Sequence, residues 1–106
     1  MPKFMIHANY VGDGIKGLLK EGGTSRRAAA EKAVVSLGGT LEAFYYAFGD
    51  TDVYAIVDVP NNATMAAVAL GINATGAVAL KTTVLLTPEE MDAATKATPS
   101  YRAPGQ

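Results

Sequence analysis

His7, the one histidine of the sequence, is the residue best equipped for chemistry. An imidazole readily donates and accepts protons near neutral pH, so His7 is a candidate catalytic acid–base or ligand-binding group. Apolar residues alternate along the segment from Lys3 to Tyr10. This period of two predicts a strand and places His7 on one face with Met5 and Asn9. The alternative is a histidine that only forms hydrogen bonds at an interface between subunits.

Asp52 is the candidate catalytic partner of His7. It ends the segment Gly49-Asp50-Thr51-Asp52, which predicts a tight turn before a third strand. We expect this strand to run antiparallel beside the first, which brings its start near Asn9. A His7–Asp52 pair on one face follows from that register. Alternatively, Asp52 accepts backbone N–H groups within the turn.

The candidate ligand-binding residues are Asn9, Tyr46, Tyr54 and Lys81. Lys81 lies in the middle of a predicted strand, where its ammonium group can bind a carboxylate. An edge-strand lysine also discourages aggregation, and Asp58 can neutralise its charge. The two tyrosines, like Tyr45, are more typical of core or interface aromatics than of catalytic acids.

Composition excludes several classes of function. The sequence has no cysteine, and its net charge is −1. No metal-ligand cluster or phosphate-binding glycine loop appears, so we predict no metal and no cofactor. The only basic pair is Arg26–Arg27, which argues against nucleic-acid binding. No window reaches the roughly 18 apolar residues of a membrane span, and no signal sequence precedes the first strand, so we expect a cytoplasmic protein without a membrane partner.

Periodicity and turn residues predict a series of strands and helices. Gly22-Gly23 should break the first helix, Asp13 and then Thr24 or Ser25 should cap its two parts, and Gly38 should end it. Thr87 and Glu90 form a capping-box sequence around Pro88. The predicted strands are 3–10, 40–48, 53–59 and 77–86, and the predicted helices are 15–36, 63–74 and 88–96.

This order, β-α-β-β-α-β, predicts an α+β protein with a ferredoxin-like fold. Both long helices should lie on one face of a four-stranded antiparallel sheet, and a short C-terminal helix should follow. We expect one domain over residues 1–97. Residues 98–106 hold two prolines and a glycine and should form an extended or mobile tail.

The sheet face without helices is predicted to be apolar, although the exposed face of a monomer should be polar. Burial of such a face by a second copy of the chain is the simplest explanation. The alternative is that the C-terminal helix folds over the face. The residues predicted on this bare face are Met5, Phe44, Tyr46, Phe48, Tyr54, Ile56 and Leu85.

Three segments resemble the GYD domain family of small bacterial proteins. They are residues 14–27, residues 41–53 and residues 85–91, and the resemblance extends over roughly residues 2 to 95. It implies a fold of the dimeric α–β barrel kind, in which the bare sheets of two subunits pack together. Gly49 and Asp52 match the motif that gives the family its name, while Thr51 stands at the place of its aromatic residue.

Three functions are consistent with these observations. The first is a homo-oligomer that holds a small, partly apolar ligand between the subunit sheets. The second is a cofactor-free enzyme that uses His7 as acid–base in the same cavity. The third is a structural or adaptor oligomer without a small ligand. A cavity that touches His7 favours the first two, and a close-packed interface favours the third.

Overall fold

The structure is a computed structural model that describes residues 1–106. The elements are β1 (Lys3–Tyr10), α1 (Gly14–Glu21), α2 (Gly23–Ser36), β2 (Thr40–Tyr46), β3 (Val53–Asp58), α3 (Asn62–Asn73), β4 (Val78–Leu85) and α4 (Pro88–Thr95). The four strands form one antiparallel sheet in the order β2-β3-β1-β4, which is the ferredoxin-like arrangement. The predicted fold class, α+β with four strands, is therefore confirmed.

Several helix ends follow the predicted local chemistry. Gly38 has a φ of 84°, and the N–H of Gly39 donates to the Val34 carbonyl at 3.0 Å, which closes α2 with a Schellman motif. The α4 capping box is complete, because the Thr87 hydroxyl accepts from the Glu90 N–H and the Glu90 carboxylate accepts from the Thr87 N–H.

The start of each part of the broken helix differs from prediction. Asp13 occupies the N-cap position of α1 without a side-chain cap, and its carboxylate instead lies 3.5 Å from the Lys16 ammonium. Neither Thr24 nor Ser25 caps α2. The cap residue is Gly22, whose φ of 84° lets the chain turn directly from α1 into α2.

The hydrophobic core lies between the helices and one face of the sheet. Alternate residues of β1 and β3 supply the sheet side of this core, and α2 contributes Val34. Met65 and Val68 of α3, Leu41 of β2 and Val59 complete it. The buried residues of the two central strands are Phe4, Ile6, Ala8, Val53, Ala55 and Val57.

An irregularity in β2 changes which face its residues occupy. Leu41 pairs with Val57, whereas Ala43 pairs with Ile56, so Glu42 is an extra residue in the strand. Beyond this β-bulge, each side chain lies on the face opposite to that given by strict alternation. The prediction was therefore wrong for two residues of the bare face.

Those two residues are Phe44 and Tyr46, which lie on the helix-covered face opposite Ala55 and Val53. A third correction concerns Phe48, which lies beyond β2 because the strand ends at Tyr46.

The C-terminal segment does not cover the bare face. α4 contains no buried residue, and Tyr45 and Tyr54 of the sheet remain 72% and 38% exposed. Residues 98–106 form neither helix nor strand. None of the helices has the length and apolar character needed to cross a membrane.

Candidate functional site

Four side chains form a row across the bare face. His7 of β1 is paired with Tyr54 of β3 on one side and with Lys81 of β4 on the other. Tyr54 is in turn paired with Tyr45 of β2. Directly paired residues of antiparallel strands share a face, so Tyr45, Tyr54, His7 and Lys81 lie side by side. We call this set the bare-face row.

The His7 ring is oriented by neighbours on both sides. Its centroid lies 5.3 Å from that of Tyr54, and the two rings meet edge to face at 71°. On the other side, Nε2 of His7 is 3.3 Å from the Thr83 hydroxyl. These contacts hold the imidazole in the middle of the row.

Lys81 has no counterion within the chain. Asp58, the predicted counterion, lies across β1 and opposite Lys3, four residues from the position of His7. It accepts from the Lys3 ammonium at 3.0 Å, and Lys3 also bonds Glu42. The pKa of Asp58 is lowered by hydrogen bonding with Glu42 and by Lys3, and hydrogen bonds to Glu42 and Asp58 raise the pKa of Lys3. Lys81 therefore remains an exposed cation beside His7.

Asp52 and Asn9 hold the β2–β3 turn against β1. The Asp52 carboxylate accepts the N–H of Tyr10 at 3.0 Å, and the Asp52 N–H donates to the Asn9 amide oxygen at 2.9 Å. The Asn9 amide nitrogen donates to the Asp50 carbonyl at 3.1 Å. The structure thus brings Asp52 to Asn9, as the expected register requires, but no hydrogen bond joins Asp52 to His7. The side chains of Asp52 and Asn9 already have hydrogen-bond partners where the turn meets β1.

Tyr46 lies on the opposite side of the sheet from His7, Tyr54 and Lys81. Its hydroxyl donates to the Gly23 carbonyl at 2.8 Å, and its ring lies 5.2 Å from that of Phe44. Burial, with a smaller contribution from nearby Tyr10, raises the pKa of Tyr46 to about 12. The bulge at Glu42 is the reason that Tyr46 cannot join His7 in one site.

Tyr45 and Thr83 lie at the site but are not among the residues predicted for it. Strict alternation from Leu41 places Tyr45 on the helix-covered face, and no composition signal marks the bulge that turns it outward. Thr83 was within reach of prediction, because it lies two residues from Lys81 on a strand that alternates in the same way. Antiparallel pairing with β1 then places it beside Met5 and next to His7.

The bare-face row combines one cation, one imidazole and two phenol rings. Around it, the same face carries Met5, Ile56 and Leu85, each half-buried. Such a surface can hold a small molecule that has an anionic group and an apolar or aromatic part. No group of three or more histidine, cysteine, aspartate or glutamate side chains is arranged to hold a metal ion.

Comparison with protein-family models gives one match. The model described as GYD domain matches residues 4–95 of the 106-residue chain. Comparisons with curated proteins and with solved structures gave no match.

Proposed function

We propose that this chain, which belongs to the GYD domain family, is a homo-oligomeric protein that binds a small molecule between subunits. The subunits would meet through the bare face of the sheet. The ligand would lie at the bare-face row and would carry a carboxylate or similar anionic group on a partly apolar body.

The composition of the bare face supports self-association. Tyr45 and Tyr54 are 72% and 38% exposed, and half-buried Met5 and Ile56 lie beside them on the same face. A contiguous apolar surface of this kind is unusual on a monomer. If several hundred Å² were buried at ~25 cal/mol per Å², the gain would be on the order of 10 kcal/mol before the costs of association. A second copy supplies the matching apolar surface.

The unpaired charge of Lys81 is the observation that carries the binding proposal. An ammonium group that enters an interface without a counterion costs several kcal/mol in lost hydration. Lys81 forms no ion pair, and Asp58 lies out of its reach on β3, opposite Lys3 and four residues along β1 from His7. An anionic ligand group beside Lys81 and His7 offsets that cost, and the ring of Tyr54 offers a surface on which its apolar part can pack.

The geometry gives less support to the enzyme alternative. Acid–base catalysis by His7 would be helped by a carboxylate that orients the ring and stabilises its charged form. The Asp52 carboxylate is instead occupied by the Tyr10 N–H. A binding role needs only the side chains that the bare-face row already brings together.

Native mass spectrometry of gently purified protein tests the proposal. We expect an oligomer that retains an acidic small molecule. The variant Lys81→Met should remain oligomeric but lose the bound mass, because methionine keeps the apolar stem and removes the charge. Lys96→Met, which removes an exposed lysine after α4, should behave as the parent protein.

Two results would contradict the proposal in separate ways. A monomer at low micromolar concentration would contradict self-association through the bare face. An oligomer that retains no molecule, and that binds none when carboxylic acids are added, would support self-association but contradict ligand binding.

A further inference from the structure

A cleft lies on the other side of the sheet, between α1, α2, α3 and the helix-covered face. Its outer part has a volume of about 620 Å³, and a deeper pocket of about 120 Å³ extends toward the sheet. We call the two together the helix-side cleft. Both parts are lined by Tyr10, Arg26, Ala33, Ile72 and Val78.

Small side chains keep this cleft open. The residues of α2 that line its deep part include Ala30 and Ala33, and the sheet below them offers Ala8 and Ala55. Protein cores normally fill such a layer with larger aliphatic side chains at close to crystal-like density. Here alanines on both walls leave space of a size typical of small-molecule sites.

The deep part of the cleft has one charged group. Fifteen of its sixteen lining residues are hydrophobic, and the sixteenth is Arg26. The side chain of Arg26 is only 33% exposed. Its guanidinium nitrogen Nη1 lies 3.6 Å from the Glu21 carboxylate, which is longer than a charge-assisted hydrogen bond.

A guanidinium group at the edge of an apolar pocket is complementary to a carboxylate on an apolar body. Arginine binds carboxylates through paired N–H donors. The contact between Arg26 and Glu21 is too long to form such a pair of hydrogen bonds, so the N–H donors of Arg26 remain available to a ligand. Glu21 lines only the outer part of the cleft, so a ligand carboxylate can take its place without crossing the apolar floor.

We propose that the helix-side cleft is a second binding site, which takes an organic carboxylate whose apolar body fills the deep pocket and whose carboxylate pairs with Arg26. The site is separate from the bare-face row, since the sheet lies between them. It does not depend on the oligomer proposed above.

Amide NMR titration with octanoate tests this proposal, with 1-octanol as the uncharged probe. We expect octanoate to shift the amide signals of Ala30, Ala33 and Ile72. The alcohol should bind at least about tenfold more weakly, because hydrogen bonds to charged groups exceed those to neutral ones by that order. Amides of Tyr54 and Ile56 report on the bare face in the same spectra, so the two sites are distinguished.

Three variants complete the test. Arg26→Gln should weaken octanoate binding by at least about tenfold, and Arg27→Gln, which alters an exposed neighbour that lines no part of the cleft, should not. Ala33→Leu should fill the deep pocket and abolish the shifts, with folding checked by the spread of its own amide signals.

Any of three results would overturn the proposal. They are the absence of cleft shifts at millimolar octanoate, shifts confined to the bare face, and equal binding by Arg26→Gln and Arg27→Gln. Because the arginine variants keep the cleft volume nearly unchanged, the test remains decisive if Ala33→Leu fails to fold.

Discussion

Single residues of this protein differ most in whether their polar groups already have partners. Lys3 bridges Glu42 and Asp58, and Asp52 is satisfied by the Tyr10 N–H. Lys81, by contrast, has no partner within the chain. Satisfied groups stabilise the fold, so the unsatisfied cation beside His7 is the better indicator of a ligand.

The pKa of Tyr46 gives a prediction for alkaline pH. Its raised value of about 12, against an ordinary 10.0, means that the folded state favours the neutral phenol. The neutral Tyr46 phenol therefore stabilises the folded state fully below pH 10, and this contribution is lost as the pH rises through about 12. The reason is that Tyr46 ionises at a lower pH in the unfolded chain than in the folded one. We expect phenolate absorbance at 295 nm to show a step near pH 12 that Tyr46→Phe removes.

Tyr101→Phe is the control for this titration, because Tyr101 is exposed in the C-terminal segment. It should leave the late step in place. If the step survives in Tyr46→Phe, the late-ionising group is another one.

The cluster of Lys3, Glu42 and Asp58 predicts a pH dependence of stability with two limits. The lowered pKa of Asp58 makes its contribution present above the ordinary value of 3.8 and lost as the pH falls further. The raised pKa of Lys3 makes its contribution present below 10.5 and lost at higher pH. We expect Lys3→Met to be less stable than the parent protein between these limits and to approach it outside them, as measured by urea unfolding.

Lys32→Met removes an exposed lysine of α2 that forms no ion pair. Its difference from the parent protein should not vary over the same pH range. A pH-independent deficit in Lys3→Met would mean that lost packing of the lysine stem, and not charge, explains the variant.

Part of the site could be predicted at this scale. The period of two in β1 placed His7 on the bare face, whereas the pairing of Lys81 with His7 follows only from the strand register of the structure. The position of Tyr46 could not be predicted, because it depends on the bulge three to four residues earlier in the strand. The partner of Asp52 depends on hydrogen-bond geometry within the turn, which residue types alone leave open.

At the scale of elements, most boundaries follow from local chemistry. Glycines and cap residues mark helix ends, and alternation marks strands, so the order of elements and the start of β1 agree with the sequence. The bulge in β2 is the exception. The segment is apolar on both sides, so moving every residue to the opposite face changes no pattern that can be read from composition.

Two glycines should respond in opposite ways to replacement by alanine. Gly38→Ala must hold a φ of 84° with a side chain present, which should lower the free energy of unfolding by about 1–2 kcal/mol. Gly71→Ala lies within α3, where an added methyl group meets no atom within 4 Å, and should raise it by about 0.5–1 kcal/mol. Urea unfolding at one protomer concentration measures both.

This pair separates conformation from packing. An added methyl group at Gly38 would make only ordinary contact, 3.6 Å from Pro60. If Gly38→Ala left the free energy of unfolding unchanged, the end of α2 would have to rearrange, and the Schellman motif would not fix the turn into β2.

At the scale of the whole molecule, the chain is more extended than its length requires. Its radius of gyration is 17.0 Å, with extents of 58 × 33 × 22 Å. A compact domain of this length has a radius of gyration of about 13 Å. The core cluster has only 11 buried residues, and α4 buries none. A fold with so small a core gains a larger share of its stability than most domains do when a partner covers its exposed apolar surface.

Disruption of the bare face should therefore affect assembly and stability together. In Ile56→Lys a charge replaces an apolar side chain at the centre of that face, opposite Met5 and Ala43. We expect sedimentation velocity at low micromolar concentration to show monomer for this variant and an oligomer for the parent protein. The melting temperature of the parent protein should rise with protein concentration, and that of the variant should not, since only an assembly links stability to concentration.

Leu70→Lys is the matched control, because Leu70 is 71% exposed on α3, on the helix side of the sheet. The same change of residue type there should leave the oligomer intact. If both lysine variants dissociate, general destabilisation of the subunit explains the result. If neither does, the subunits meet elsewhere, and an anion at Lys81 would then be bound on an open surface with far less protection from water. Only dissociation of Ile56→Lys alone assigns the contact to the bare face.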